Sequence, residues 1–397
     1  MKKRIMILGA SVLQLPGIEK AKKMGYEVIA VDMDPHAVGF KSADICLVIS
    51  TIDIPAVVQA AKDYHIDGVM TLASDMPMRT VAAVAKECGL VGIDMDTAIK
   101  ATNKAEMREA LAAGNVPIPA FYRVSTEEAY REAIARFEKK CIVKPADNSG
   151  SRGVYLINNV KDEQQVAEAY AHSKQFSRSG EIVVEEYMEG PEVSVETMSV
   201  DGVCHVVQIT DKLTTGAPYF VEMGHNQPSM LSEAVKADIR RVAIAANRAI
   251  GIKNGPSHTE IKVTKQGAKI VELGARLGGD CITTHLVPLS TGVSMVELCI
   301  RIAMGEKPEI KPAFDKGSAI RYFRHGAGRV ARLDGVDEAG KMPGIQQVSV
   351  VHGLGEDVHE ITSSSERMGF VVAQGDDPQE AIDRCEAALR KINIVLE

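Results

Sequence analysis

Glu260, Glu272 twelve residues later, and Arg276 four beyond that put two acids and a guanidinium within one short stretch of this chain. Ile261 to Val263 and Lys269 to Leu273 read as two short strands, with Lys265-Gln266-Gly267 as the turn of a hairpin between them. Folded in that way, both carboxylates reach one edge with the arginine beside them. Two hard oxygen donors next to a fixed positive charge suit Mg²⁺ bridging the phosphates of ATP. That ion takes one or two protein carboxylates and fills its other positions with phosphate oxygen and water. Charged residues at strand ends are also ordinary surface decoration, so the spacing by itself leaves both readings open.

A second group, upstream, has the character of a polyphosphate site. Lys144 stands near the end of an apolar strand, Cys141 to Pro145. The loop Asp147-Asn148-Ser149-Gly150-Ser151-Arg152-Gly153 follows, and then another strand, Val154 to Ile157. An ammonium and several backbone N–H groups are brought together there, on a loop whose glycines let it close over phosphate. Read as a plain turn, the same segment is a hairpin with a solvated lysine. Strand-loop-strand differs from the strand-loop-helix of a P-loop, and no G-x-x-x-x-G-K-[ST] sequence occurs. Gly9 follows a strand and Asp32 lies 23 residues on, which is the outline of a dinucleotide site. The other glycines of G-x-G-x-x-G are missing from Gly9-Ala10-Ser11-Val12-Leu13-Gln14, which argues against an NAD-dependent oxidoreductase.

A larger frame has to position these groups. The 397 residues imply two or three domains. The first hundred alternate strand and helix: Arg4 to Gly9, Pro16 to Met24, Glu27 to Asp32, Ile54 to Tyr64, Gly68 to Leu72 and a helix to Cys88. This pattern predicts an open parallel α/β domain, whose ligands sit beyond the carboxyl ends of the strands, near Gly9 to Gln14, Asp32 to Asp34 and Ala73 to Asp75. Asn103 caps a helix to Ala113 that Gly114 closes, and Glu127 to Lys139 reads as a further helix. From about Lys316 the chain shows short strands, a glycine-rich middle and a closing helix, Pro378 to Ile392.

Bulk properties narrow the classes. With 45% hydrophobic and 25% charged residues and a net charge of −7, the composition is that of a soluble globular protein without general attraction to nucleic acid or anionic lipid. Seven scattered cysteines (Cys46, Cys88, Cys141, Cys204, Cys281, Cys299, Cys385) never form C-x-x-C, which fits free thiols in a reducing cytoplasm rather than disulfides or zinc. Met1 to Leu8 reads as a first strand rather than a signal peptide, and no apolar run is long enough for a membrane span.

Taken in order, N-K at Asn103-Lys104, V-K-P at Val143 to Pro145, the S-G-S-R-G loop, E-E-Y-M-x-G-x-E from Glu185 to Glu192, and the Glu260/Glu272/Arg276 hairpin together resemble the ATP-grasp superfamily. The resemblance runs over nearly the whole chain and matches the layout of biotin carboxylase and the purine-pathway ligases. The L-G-G-D form at Leu277 to Asp280 is more similar to the amino-acid ligases of that superfamily. It implies an α/β and α+β multidomain fold: an N-terminal pre-ATP-grasp α/β domain over residues 1–101, a central ATP-grasp fold over 102–315 with a lid at about 116–188, and a small C-terminal α+β domain over 316–397.

The resemblance also implies roles. Lys104 and Lys144 contact the ATP phosphates, and Ser149, Gly150, Ser151 and Gly153 close over them. Glu185, Glu186, Tyr187 and Met188 form the hinge that reads adenine, and Glu192 bonds the ribose. Glu260 and Glu272 hold Mg²⁺, with Mn²⁺ as an alternative ion, and Arg276 neutralises the transferring phosphoryl group. Many members read E-x-N-x-R where this chain has Glu272-Leu273-Gly274-Ala275-Arg276, so Gly274 offers no second-metal ligand. Gly278, Gly279 and Asp280 lead into a helix through Met304 and form a carboxylate seat at its N-terminus. Lys212, a further catalytic candidate, and His225 are expected in a loop facing that seat, and Asp75 either receives an amine or caps a helix.

The expected activity is ATP-dependent, ADP-forming ligation of a small carboxylate, such as an amino acid, to an amine through an acyl phosphate. Small molecules are the expected partners, with a homodimer compatible with the resemblance. The alternatives are phosphoribosylamine–glycine ligation, bicarbonate-dependent carboxylation, or a nucleotide-binding regulator without turnover.

Overall fold

The computed structural model describes residues 2–397. Four parallel strands open the chain, β1 (Arg4–Leu8), β2 (Glu27–Asp32), β3 (Ile45–Val48) and β4 (Gly68–Met70), in the order β3-β2-β1-β4. β1 and β2 are apolar on both faces because both are covered. Met6, Leu8, Ile29 and Val31 pack under helices Ile54–Asp63 and Met78–Cys88, while Ile5, Ile7, Val28 and Ala30 face helices Leu15–Lys23 and Met295–Ala303. Asp75 lies just past β4, at the carboxyl edge where open α/β sheets present ligand crevices. It is not a side-chain cap: helix Met78–Cys88 is capped by Pro77, and the Asp75 side chain turns elsewhere.

The next four strands, β5 (Phe121–Val124), β6 (Cys141–Pro145), β7 (Tyr155–Ile157) and β8 (Ile182–Glu186), make an antiparallel sheet in the order β5-β8-β6-β7. Helices Glu127–Ile134 and Glu163–Phe176 cover it through Tyr130, Ile134, Val166 and Ala169. The helix expected to reach Lys139 ends at Ile134. Beyond it Arg136 and Phe137 take tight turn bonds to Ala133 and Ile134, which bring Phe137 edge-on to Tyr122 at 5.8 Å.

The longest sheet begins with β9 (Glu192–Val200), β10 (Val203–Thr214), β11 (Glu222–Gln227), β12 (Gly255–Thr264) and β13 (Gly267–Gly274). The C-terminal segment supplies β14 (Gly317–Tyr322), β15 (Gly328–Asp334), β16 (Ile345–Val350), β17 (Asp357–Val358), β18 (Gly369–Gly375) and β19 (Asn393–Leu396). Three of these continue the central sheet, whose order is β13-β12-β9-β10-β11-β14-β18-β16; β17, β15 and β19 pair separately. Val193, Val195, Ile209, Ile261 and Ile270 bury one face of the central strands against helix Glu233–Ile250. The other face carries the charged residues described below.

Lys212 and His225 are inside β10 and β11, opposite one another in register, and not in a loop. Their segments contain Gly, Pro and many polar residues because these strands line a cavity, so the loop-like composition misleads. The single helix expected up to Met304 is also broken. A π-helical turn, Ile282–Leu286, leads into Val287–Thr291. Gly292 then turns left-handed (φ +77°), and Ser294 caps a new helix, Met295–Ala303. The two arms bend by 113°, and no single helix among the described residues is long and apolar enough to cross a membrane.

Candidate active site

β12 and β13 form a hairpin joined by Lys265 and Gln266. Pairing is regular from Thr264↔Gly267 to Ile261↔Ile270, then shifts so that Glu260 faces Glu272 and Val271 is the extra residue. Without this bulge Glu260 would face Val271, and Glu272 would stand opposite Thr259 on the other side of the sheet. One inserted residue therefore brings the two carboxylates together. Arg108 holds it in place, its Nη2 donating to the Val271 carbonyl at 2.6 Å.

Opposed like charges destabilise a strand pair, and each carboxylate here has a cation. Lys104 Nζ is 2.9 Å from Glu272 Oε1, and Lys212 Nζ is 2.8 Å from Glu260 Oε1. Lys212 also reaches Glu192 at 2.8 Å and Glu222 at 3.2 Å, so one buried ammonium faces three carboxylates. Burial works against its charge, but Glu260, Glu192 and Glu222 together hold it well above the usual lysine range. Burial likewise opposes the charge on Glu260, and Lys212 and His258 outweigh it, holding the carboxyl well below its ordinary value.

His258 and Glu260 alternate onto the same face of β12. Across β9 His258 pairs in register with Glu196, and its Nδ1 donates to Glu196 Oε1 at 2.5 Å. Burial alone would lower its pKa; the carboxylates of Glu196 and Glu260 prevail and raise it to about 9. At neutral pH His258 is therefore an imidazolium in the cavity wall. Gly278 lies against this pair, since a Cβ there would fall 2.6 Å from His258 Nδ1 and 2.9 Å from Glu196 Oε1.

On the flap side, Lys144 Nζ lies 2.9 Å from Glu185 Oε2, and Arg108 Nε donates to Glu185 Oε1 at 2.7 Å. The Glu185 side chain is fully buried. Burial pushes its pKa up, but Arg108 and Lys144 together bring it to about 2. Lys104, besides touching Glu272, donates to the Asn148 carbonyl at 2.6 Å and so ties the flap to the hairpin. Gly153 has φ +79°, and a Cβ would sit 2.6 Å from Phe176 Cβ, so the end of the flap packs down where no larger residue fits.

Flap, hairpin and Asp75 enclose a cavity of about 430 Å³. Lys104, Lys144, Ser149, Gly150 and Ser151 line its flap side, and Glu185, Glu186, Tyr187, Met188 and Glu192 its hinge side. Glu260, Glu272, Lys212, Arg276, Asp75, His225, Gly279 and Asp280 form the remainder, whereas Gly153 and Gly278 pack behind the wall. Arg276 meets Asp75 at 2.9 Å, and Asp280 is gripped by Arg367 at 2.7 and 2.9 Å. Among the described residues no cluster of three or more His, Cys, Asp or Glu forms a metal cage. Two opposed carboxylates without a third are the donor set of an ion that completes its shell from phosphate and water, so the residues present fit Mg²⁺ shared with a nucleotide.

A family profile described as ATP-grasp domain matches residues 122–284, and one described as L-amino acid ligase C-terminal domain 2 matches residues 321–397. The chain carries an ATP-grasp domain. This ATP-grasp chain is 26% identical over 284 residues to the L-arginine-specific L-amino acid ligase of Bacillus subtilis, a match spanning 70% of this chain and 68% of that protein. It is 25% identical over 399 residues to the formate-dependent phosphoribosylglycinamide formyltransferase of Saccharolobus solfataricus, spanning 97% and 96%. Its fold matches the crystal structure of L-amino acid ligase from Bacillus licheniformis with a TM-score of 0.84 over 100% of this chain and 99% of that one, at 23% identity. It is an ATP-dependent carboxylate–amine ligase.

Several residues of the ATP-grasp site escape a reading of the sequence. Arg108 gives no local sign, because Glu185 and Val271 reach it from 77 and 163 residues away. Glu196 and Arg367 are hidden in the same way, being 62 residues from His258 and 87 from Asp280. Arg367 also stacks on the Tyr322 ring at 3.8 Å, so the C-terminal segment backs Asp280 from behind the cavity wall. His258 was within reach, since it stands two residues before Glu260 on an alternating strand.

Proposed function

We propose that this ATP-grasp ligase forms ADP and joins an amino acid, or a similar small carboxylate, to an amine through an acyl phosphate. The observation that carries the reading is the bulged hairpin, which opposes Glu260 and Glu272 and sets Arg276 just past the same strand, beneath a glycine-containing flap. The C-terminal match to L-amino acid ligases favours an amino acid over a purine precursor or bicarbonate.

In this reading Glu260 and Glu272 would hold Mg²⁺, or Mn²⁺ in its place. When bound, the ion neutralises phosphate charge and fixes the phosphates relative to the acceptor. Lys144 and Lys104 take the phosphates from the flap side, and Ser149 to Gly153 cover them. The backbone of Glu185 to Met188 reads adenine, because the Glu185 side chain is committed to Arg108 and Lys144. Glu192, at the mouth of the same face, bonds the ribose. Arg276 and the His258 imidazolium meet the negative charge that moves from the γ-phosphate to the acyl phosphate, and Lys212 fixes Glu260. Such a division suits phosphoryl transfer, which needs positioning and charge neutralisation more than covalent help. The backbone N–H groups of Gly279 and Asp280 present the seat for the carboxylate substrate, the Asp280 side chain being taken up by Arg367, with Gly278 giving His258 its room. His225 reaches Asp280 at 3.4 Å and borders that seat.

The test is ADP release in the presence of Mg²⁺ across amino acids, singly and in pairs. Release that requires a particular pair is the expected result. Release that instead requires bicarbonate or a phosphoribosyl amine would replace the amino-acid reading, and none with any acceptor would remove it.

A further inference from the structure

The contact between Asp75 and Arg276 joins residues 201 positions apart. Asp75 belongs to the loop after β4, while Arg276 follows β13 in the central fold. Arg276 Nε donates to Asp75 Oδ1 at 2.9 Å and Nη2 to Oδ2 at 3.2 Å. Two bonds from one guanidinium to one carboxylate fix the plane of the group as well as its place. Nη1 donates to the Leu277 carbonyl at 3.3 Å. Of the five N–H groups of an arginine, two then remain for the cavity.

Gly274 explains how the carboxylate reaches this position. Its backbone is not in the left-handed region, so conformation does not require glycine there. Space does: a Cβ on residue 274 would lie 2.8 Å from Asp75 Oδ1 and 3.2 Å from Arg276 Nε. A side chain at 274 and the Asp75 carboxylate compete for one volume.

We infer that Asp75 is a positioning residue for Arg276, and that residue 274 is glycine in order to admit the Asp75 carboxylate. The N-terminal α/β unit thereby aims a group of the phosphoryl-transfer site. This inference rests on the assignment of Arg276 to the transferring phosphoryl group.

The experiment is a double-mutant cycle on the full chain, read as kcat and the KM for ATP in Asp75→Ala, Gly274→Ala and the double variant. Asp75→Ala should lower kcat at least tenfold while the KM for ATP stays within about twofold, since misaimed charge costs the transition state more than ground-state binding. Gly274→Ala alone should lower kcat several-fold by pushing Asp75 aside. In the Asp75→Ala background the added methyl should cost nothing further. Asp75→Asn, which keeps shape and loses charge, supplies the comparison of kcat with the KM for ATP if the alanine variant folds poorly. A kcat within twofold of wild type in both Asp75 variants, or losses that multiply in the double variant, would overturn the inference. Arg276→Ala run alongside separates the two levels. A large loss there with none at Asp75 removes only this inference, whereas an unchanged kcat in Arg276→Ala removes the assignment on which it rests.

Discussion

The two sides of the cavity are built on opposite charge balances. On the flap side one carboxylate, Glu185, is shared by two cations, Arg108 and Lys144. On the hairpin side one ammonium, Lys212, is shared by three carboxylates, Glu192, Glu222 and Glu260; with Lys262 also on Glu192 and His258 between Glu196 and Glu260, acids still outnumber bases four to three. A surplus of positive charge suits phosphate, and a surplus of negative charge suits a divalent cation. The same pairing chemistry thus gives two sites of opposite sign within one cavity. Burial differs as well: the Glu185 side chain is 1% exposed and that of Glu260 24%. The first cluster is locked into the fold, while the second is open to exchange partners.

Removing the locked carboxylate should have the largest effect on stability. Glu185→Ala leaves Arg108 and Lys144 buried together without a counter-charge, and the cost should be roughly 3–5 kcal/mol in urea denaturation. A loss below about 1 kcal/mol would mean that both cations regain water, and the contrast between the two clusters would vanish.

His258 provides a pH test of the open side. Its pKa is about 9 in the folded protein, above the ordinary histidine value, so its contribution to stability is complete below about pH 6.5 and is lost as pH rises to about 9. That contribution should reach at most roughly 3 kcal/mol, and His258→Gln should flatten the pH dependence over this window. Equal slopes in the two proteins would show that Glu196 does not hold a charged imidazole.

A smaller effect should follow from trimming the surplus on the hairpin side. Lys262→Met removes one of the two cations on Glu192 and should lower the Mg²⁺ concentration giving half-maximal turnover by roughly twofold to threefold, the scale of a partly exposed ion pair. A higher requirement would mean that the charge surplus does not draw the metal.

Much of this arrangement is legible in the sequence because it rests on local signals. The N-terminal βαβ alternation, the Asn103 cap, the apolar strand carrying Lys144 and the existence of a hairpin turn near Gln266 all come from neighbouring residues, although Gly267, read as part of that turn, already pairs with Thr264. The bulge at Val271 does not, because valine is an ordinary strand residue and the insertion is defined only by its partner strand. With the two-residue turn that forms, a regular hairpin would place Glu260 and Glu272 on opposite faces. Lys212 and His225 read as loop residues because a strand facing a polar cavity loses the apolar alternation that marks strands. β14, β16 and β18 join the central sheet through pairings to distant strands, which no local pattern encodes. The Gly274 departure reads as a missing ligand until Asp75 is seen in the space beside it.

The opposed carboxylates are the centre of the account, and Mg²⁺ dependence tests them directly. Glu260→Gln and Glu272→Gln keep shape and volume and remove the charge that the ion needs. ADP formation should fall by orders of magnitude in each, with any residual activity shifted to higher Mg²⁺ and thermal unfolding little changed. Near-wild-type rates with unaltered Mg²⁺ dependence in both variants would contradict it.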